Sequence, residues 1–152
     1  MNTNDTTDYI QGYIDNIYII LMNYKDYVGF VNVDKTDDSF IPRYPYCTIE
    51  LANFQEEWKE IPRKKTIIAN FDITYYFANL NDKNCRQGLR LGLSKIANVF
   101  RENWSLNDYT PQLGSTVTSV TPYVLAKNDN VIAGGVIALQ CKKVINVEFS
   151  LG

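Results

Sequence analysis

The sequence contains no histidine. That absence removes the commonest general base, every Ser-His or Cys-His nucleophile pair and most zinc sites. Cysteine is scarce as well. Cys47, Cys85 and Cys141 are far apart and odd in number, without the short spacings of a metal site. They read as reduced, buried, small apolar residues of a protein assembled in a cytoplasm. No apolar run reaches the roughly 18 residues that a membrane-crossing helix requires. Met1 to Asp8 is polar and acidic, without the basic start and apolar stretch of a secretory signal. A cationic surplus is missing too: 15 Lys and Arg stand against 17 Asp and Glu, a net charge of −2. Long-range attraction for nucleic acid, which normally shows as a basic face or stripe, is therefore not expected.

What is present suits one soluble domain spanning residues 1–152, with 1–7 as a flexible polar tail. A domain of this size buries roughly 68–70% of its unfolded surface, so neither metal nor disulfide is needed to hold it. Eleven Tyr and seven Phe are the less ordinary feature. They fit a β-rich core, or surfaces that end up against a partner, because Tyr joins apolar area to a polar tip.

Periodicity supplies the elements. Ile10, Tyr13, Ile14, Ile17, Leu21 and Tyr24 recur at helical steps after a Thr6, Thr7 or Asp8 cap. Tyr27 to Val33 reads as a short strand. Asp34 to Arg43 reads as a loop, and a strand over Tyr46 to Leu51 follows Pro45. Asn53 to Lys65 is charged and reads as an exposed loop or a long hairpin tip. The clearest strand runs from Ile67 to Ala78, with Ile67, Ala69, Phe71, Ile73, Tyr75 and Phe77 on one face. Asn81 or Asp82 then caps a helix whose stripe is Cys85, Leu89, Leu93, Ile96 and Phe100. Gly88 and Gly92, four apart, leave a groove along it for a close neighbour. Leu113 to Leu125, with Pro122 marking an edge or bulge, and a last strand through Ile137, Leu139, Cys141, Ile145, Val147 and Phe149 complete the chain. Gly134-Gly135 reads as a bend early in that last strand. The expected fold class is α+β: a mostly antiparallel sheet of about five strands with two helices on one face, in the order α-β-β-β-α-β-β.

Chemistry is hard to find in this pattern. Asp34, Asp37 and Asp38, or Glu56, Glu57 and Glu60, are the only acidic groupings for carboxylate catalysis, and each reads first as a solvated loop. The first group lacks the central Gly and closing Glu of a calcium loop. Neither glycine pair sits between a strand and a helix start, where a phosphate loop must be. Arg63-Lys64-Lys65, the only basic run, lies beside Trp58 and three glutamates and reads as a solvated hairpin tip. No catalytic, cofactor-binding or metal-binding residue is assigned, and the chain is not expected to be an enzyme. Contact surface is what remains.

The order of elements resembles the tail terminator (tail completion) proteins of tailed bacteriophages. The stretches that carry the likeness are the N-terminal helix followed by Tyr46-Cys47-Thr48-Ile49-Glu50 behind Pro45, and the long strand Ile67 to Ala78 leading through Asn81-Asp82 into the Arg86 to Phe100 helix. The third is Asn103-Trp104-Ser105-Leu106, followed by two closing strands with Val120-Thr121-Pro122 in the first. The resemblance implies a structural virion protein, assembled in the host cytoplasm, that forms a ring of six copies at the head-proximal end of the tail. Such a ring stops tail tube polymerisation and joins the tail to the neck or connector. Its partners would be other copies of itself, the tail tube protein and a neck protein, with DNA only as cargo through the lumen and no membrane. On this reading the loops holding Asp37, Asp38, Trp58, Arg63, Lys64 and Lys65 make axial contacts, and Tyr9, Tyr13 and Tyr18 of the first helix meet a neighbour. Another neck adaptor or minor tail protein, or a soluble binding domain unconnected with phage, are the alternatives.

Overall fold

The structure, a computed structural model, describes residues 8–35, 43–58, 64–79, 82–127 and 131–146. The first helix, α1 (Tyr9–Asn23), begins where the Asp8 carboxylate accepts the Gln11 N–H at 2.9 Å. Its buried stripe is Tyr13, Ile17, Ile20 and Leu21. The next segment differs from the expected strand. Lys25–Val28 forms a short helix, α2, which Gly29 closes at φ 93° by donating its N–H to the Lys25 carbonyl. Only Asn32–Asp34 (β1) is extended, because the chain must first complete that left-handed cap.

Strand β2 (Tyr46–Trp58) is longer than expected, and β3 (Lys64–Asn79) answers it as a long hairpin. The reason the sequence hid this is a bulge: the register shifts between Leu51 and Asn53. Before the shift Cys47, Ile49 and Leu51 stand opposite Tyr75, Ile73 and Phe71; after it Phe54, Glu56 and Trp58 stand opposite Ala69, Ile67 and Lys65. One extra residue thus moves the core-side parity from odd to even numbers, and alternation over Asn53 to Lys65 is lost. Helix α3 (Asp82–Glu102) follows, then β4 (Ser115–Lys127) and β5 (Val131–Asn146).

The sheet order is β1-β2-β3-β5-β4, with β1 parallel to β2 and every other pair antiparallel. α1 and α3 cover the same face. The Tyr13 ring of α1 meets Phe71 edge-on at 5.8 Å, and Gly92 of α3 lies against Tyr75; Phe71 and Tyr75 are four apart on one strand and so point the same way. Between the layers lie Cys47, Ile49, Ala69, Phe71, Ile73, Tyr75, Ile137, Leu139 and Cys141 from the sheet, with Cys85, Leu89, Leu93, Ile96 and Phe100 from α3. The α+β class and the one-sided helix layer match the expectation, with the short α2 added.

Glycines set how closely the layers approach. The groove left by Gly88 and Gly92 is filled from within: the Phe77 ring occupies the first position and the Tyr75 ring the second. Gly134-Gly135 do not bend β5, which holds register with β3 from Val131 to Asn146. Gly135 instead makes room for the Leu93 side chain. The irregularities fall on β4, between Val117 and Ser119 and between Val124 and Ala126, and β4, which carries Pro122, is an edge strand among the described residues.

Candidate assembly surfaces

The outer half of β2 is exposed, whereas its partner in the hairpin, β3, stays buried through Thr66, Ile67, Ile68 and Ala69 and pairs with β5 on its other side. From Glu50 to Trp58 every residue of β2 is exposed, although Leu51, Phe54 and Trp58 lie on the side where the helices pack. Phe54 and Trp58 are 54% and 57% exposed, which is unusual for large apolar groups aligned on one strand. Lys65, opposite Trp58, places its ammonium 5.6 Å from that ring and 3.1 Å from Glu56 Oε1. The pair is near the surface and adds little stability, but it ties the hairpin's two strands in register. Where the hairpin passes the start of α1, Asp8, Tyr9, Ile10, Phe54, Glu56, Lys65 and Ile67 bound a shallow cleft of about 220 Å³.

The helix-free face of the sheet is different in character. Tyr46 and Tyr76 stack across the strands at 4.8 Å, with Tyr44 beside them. Next come Thr48 opposite Thr74, then Glu50 opposite Asp72, then a ladder in which Gln140 donates to Asn70 and Asn70 donates to Asn53. Glu50 and Asp72 are like charges directly across an antiparallel pair, and neither has an ion-pair partner among the described residues.

Charge is distributed unevenly. Helix α3 holds 5 of the 15 cations (Lys83, Arg86, Arg90, Lys95, Arg101) and 2 of the 17 anions, Asp82 and Glu102, at its ends. It is therefore net +3, and the rest of the chain net −5. Lys83, Arg86, Arg90 and Arg101 are exposed, as is Leu91 among them. Lys95 is half-buried, over the Tyr27 ring and donating to the Tyr27 carbonyl.

The residues singled out from sequence divide. Tyr13 is a correction: it is fully buried between α1 and the sheet, because it sits on the core stripe of the helix, and it presents no surface to a neighbour. Tyr9 and Tyr18 are half-buried; the Tyr9 carbonyl accepts the Tyr109 hydroxyl, and the Lys35 ammonium lies 4.5 Å from the Tyr18 ring centre. Trp58 and Lys64 are exposed on the hairpin, and Lys65 sits between Glu56 and Trp58. Asp37, Asp38 and Arg63 lie outside the described residues, as do Val147 and Phe149. Sequence reasoning did not single out Leu51, or Phe54 within the stretch read as exposed, and it missed the Glu50–Asp72 pair. The bulge concealed the side on which Phe54 stands, and the pairing of Glu50 with Asp72 rests on the register between β2 and β3, which neither strand's own sequence contains.

The three cysteines are buried and form no disulfide, and burial pushes the Cys47 and Cys141 thiols well above their ordinary range. Burial likewise raises the Tyr13 and Tyr75 phenols and carries Tyr109 up to about 12, and it lowers Lys143, whose ammonium sits over the Tyr109 ring and donates to the Tyr109 carbonyl. The cysteine, Tyr13 and Tyr75 shifts belong to core packing, whereas Lys143 is half-buried and lines a cleft of about 160 Å³ with Thr110, Pro111, Gln112 and Val144. Among the described residues no group of three or more His, Cys, Asp or Glu is placed to hold a metal ion, and no helix is long and apolar enough to cross a membrane.

No protein-family model matches the chain, and neither does any curated protein sequence.

Proposed function

We propose that this protein is a structural, self-associating component of a phage virion, a tail terminator that forms a ring at the head-proximal end of the tail, caps the tube and joins it to the neck. The observation that carries the reading is the exposed outer half of β2. Leu51, Phe54 and Trp58 are large apolar side chains exposed on one face of that strand, with Glu56 between the last two, and exposed apolar groups gathered in this way mark an interaction surface. The order of elements, two long helices on one face of a five-stranded sheet, is the one the resemblance implies. A ring needs two different, complementary surfaces on each copy, since head-to-tail contacts close only by rotation. The opposed charge of α3 and of the remaining chain suits such a contact. In the ring, net negative charge would favour passage of DNA over its capture.

The reading is tested by adding the purified chain to polymerising tail tube protein encoded in the same genome. Capping predicts shorter tubes with a ring at one end in negative stain. Tubes of unchanged length, bare at both ends, would refute it. A Phe54→Ser/Trp58→Ser variant should fold and fail to cap.

A further inference from the structure

The most uneven feature of the molecule is the outer face of α3. Arg86 and Arg90 stand one helical turn apart and both are exposed, with Lys83 preceding them and no acid on the helix between Asp82 and Glu102. Arg90 and Lys83 have no ion-pair partner among the described residues. On the opposite side of the molecule, Glu50 and Asp72 face one another in register, likewise without a cation. Beyond Asp72 in the same cross-strand row come Ala138 and Ser119, and the neighbouring row is Thr48, Thr74, Val136 and Thr121. On that side the side chains beside the two carboxylates are small, while the row on the other side is the Asn53–Asn70–Gln140 ladder, so long side chains arriving from outside reach the carboxylates from the threonine side.

The spacings agree as well as the signs. Residues four apart on a helix have Cβ atoms about 5–6 Å apart, and directly opposed residues on antiparallel strands about 4.5–5.5 Å apart. We infer that a second copy of this chain docks here: α3 of one copy lies on the helix-free sheet face of the next, with Arg86 and Arg90 against Glu50 and Asp72. The arrangement relieves the like-charge opposition of the two carboxylates, and bidentate guanidinium–carboxylate geometry gives it direction. Because helix layer and sheet face are opposite sides of one domain, the contact is heterologous and repeats from copy to copy. The other occupant of a basic helix would be nucleic acid. A second copy is favoured because the complementary acidic surface is on this same chain, whose remainder is net −5 and repels a polyanion.

This inference rests on the self-association proposed above and is tested by charge exchange. Two variants of the full chain are made, Arg86→Glu/Arg90→Glu and Glu50→Arg/Asp72→Arg, and the native fold of each is checked by thermal unfolding. Light scattering at low salt then reads the mass of each alone and of their equimolar mixture. The wild type should associate, each variant alone should associate more weakly by a factor on the order of 100, and the mixture should regain the wild-type mass as copies alternate. Rings formed equally well by both variants alone would overturn the docking and leave the ring reading standing. A wild type that stays monomeric at the highest soluble concentration, with and without tail tubes, would overturn both. Duplex DNA bound by the wild type and lost only in the arginine variant, with self-association unchanged, would overturn it in favour of a nucleic-acid surface.

Discussion

Gly88 and Gly92 are equivalent in sequence and unequal in the fold, and the difference can be put in numbers. Replacing either by Ala gains about 1 kcal/mol of helix propensity. At Gly92 the new methyl carbon would lie 2.4, 2.7 and 2.9 Å from three atoms of the Tyr75 side chain. Tyr75 is only 2% exposed and is wedged into the core cluster, so its ring has nowhere to go. Overpacking of a closed site costs about 1–3 kcal/mol, and contacts this short on a rigid ring place Gly92→Ala at the upper end. The net expectation is about 2 kcal/mol of destabilisation, a fall of roughly 4–8 °C in Tm for a chain of this size. At Gly88 the contact is 2.6 Å to the Phe77 ring, which is half-buried and can swing outward. Gly88→Ala should therefore be neutral or stabilising by up to about 1 kcal/mol. Urea or thermal unfolding of the two variants side by side is the assay. Equal Tm values for both would refute the account of how α3 seats on β3.

Three further outcomes follow from the same packing. Tyr13→Phe should change stability by no more than about 1 kcal/mol in urea unfolding, because the Tyr13 hydroxyl is buried and its interaction with Thr110 falls short of a well-formed hydrogen bond. A large loss would mean that the hydroxyl is satisfied. Stability should be level up to about pH 8 and fall as pH rises toward 12: burial raises first the Cys47 and Cys141 thiols and then the Tyr13, Tyr75 and Tyr109 phenols above their unfolded values, so the folded state keeps protons that the unfolded state releases. Each group held neutral contributes about 1.4 kcal/mol of loss per pH unit above its unfolded value, and denaturant midpoints across the window, with the phenolate absorbance, measure the slope. Phe54→Ser/Trp58→Ser should leave Tm within a few degrees, since both side chains are more than half exposed, while reducing association in light scattering.

Much of the fold was legible from periodicity alone. The stripe Cys85, Leu89, Leu93, Ile96 and Phe100 is the buried face of α3, and Ala69, Phe71, Ile73 and Tyr75 are the core face of β3. Long elements with one face buried announce themselves, because the hydrophobic effect selects every residue on that face. The short pieces were misread for local reasons. α2 is a single turn decided by Gly29 adopting positive φ, not by its Val and Tyr content. The outer half of β2 is wet on both faces and displaced by a bulge, so no alternation survives there. Surfaces were the least legible part. Tyr13 and Tyr18 look alike in composition, yet one step of helical phase separates a core ring from a half-buried one. The Glu50–Asp72 opposition depends on strand register, which no local window of residues contains.

The claim at the centre of this account is that the protein functions as copies joined in a closed ring. The measurement that tests it most directly is the solution mass of the purified chain by light scattering across a concentration series, with negative-stain images of the same fractions. The account predicts a single species of about six copies with a central hole, or its appearance when tail tubes are added. A protein that remains a monomer at every concentration, with and without tubes, would contradict it.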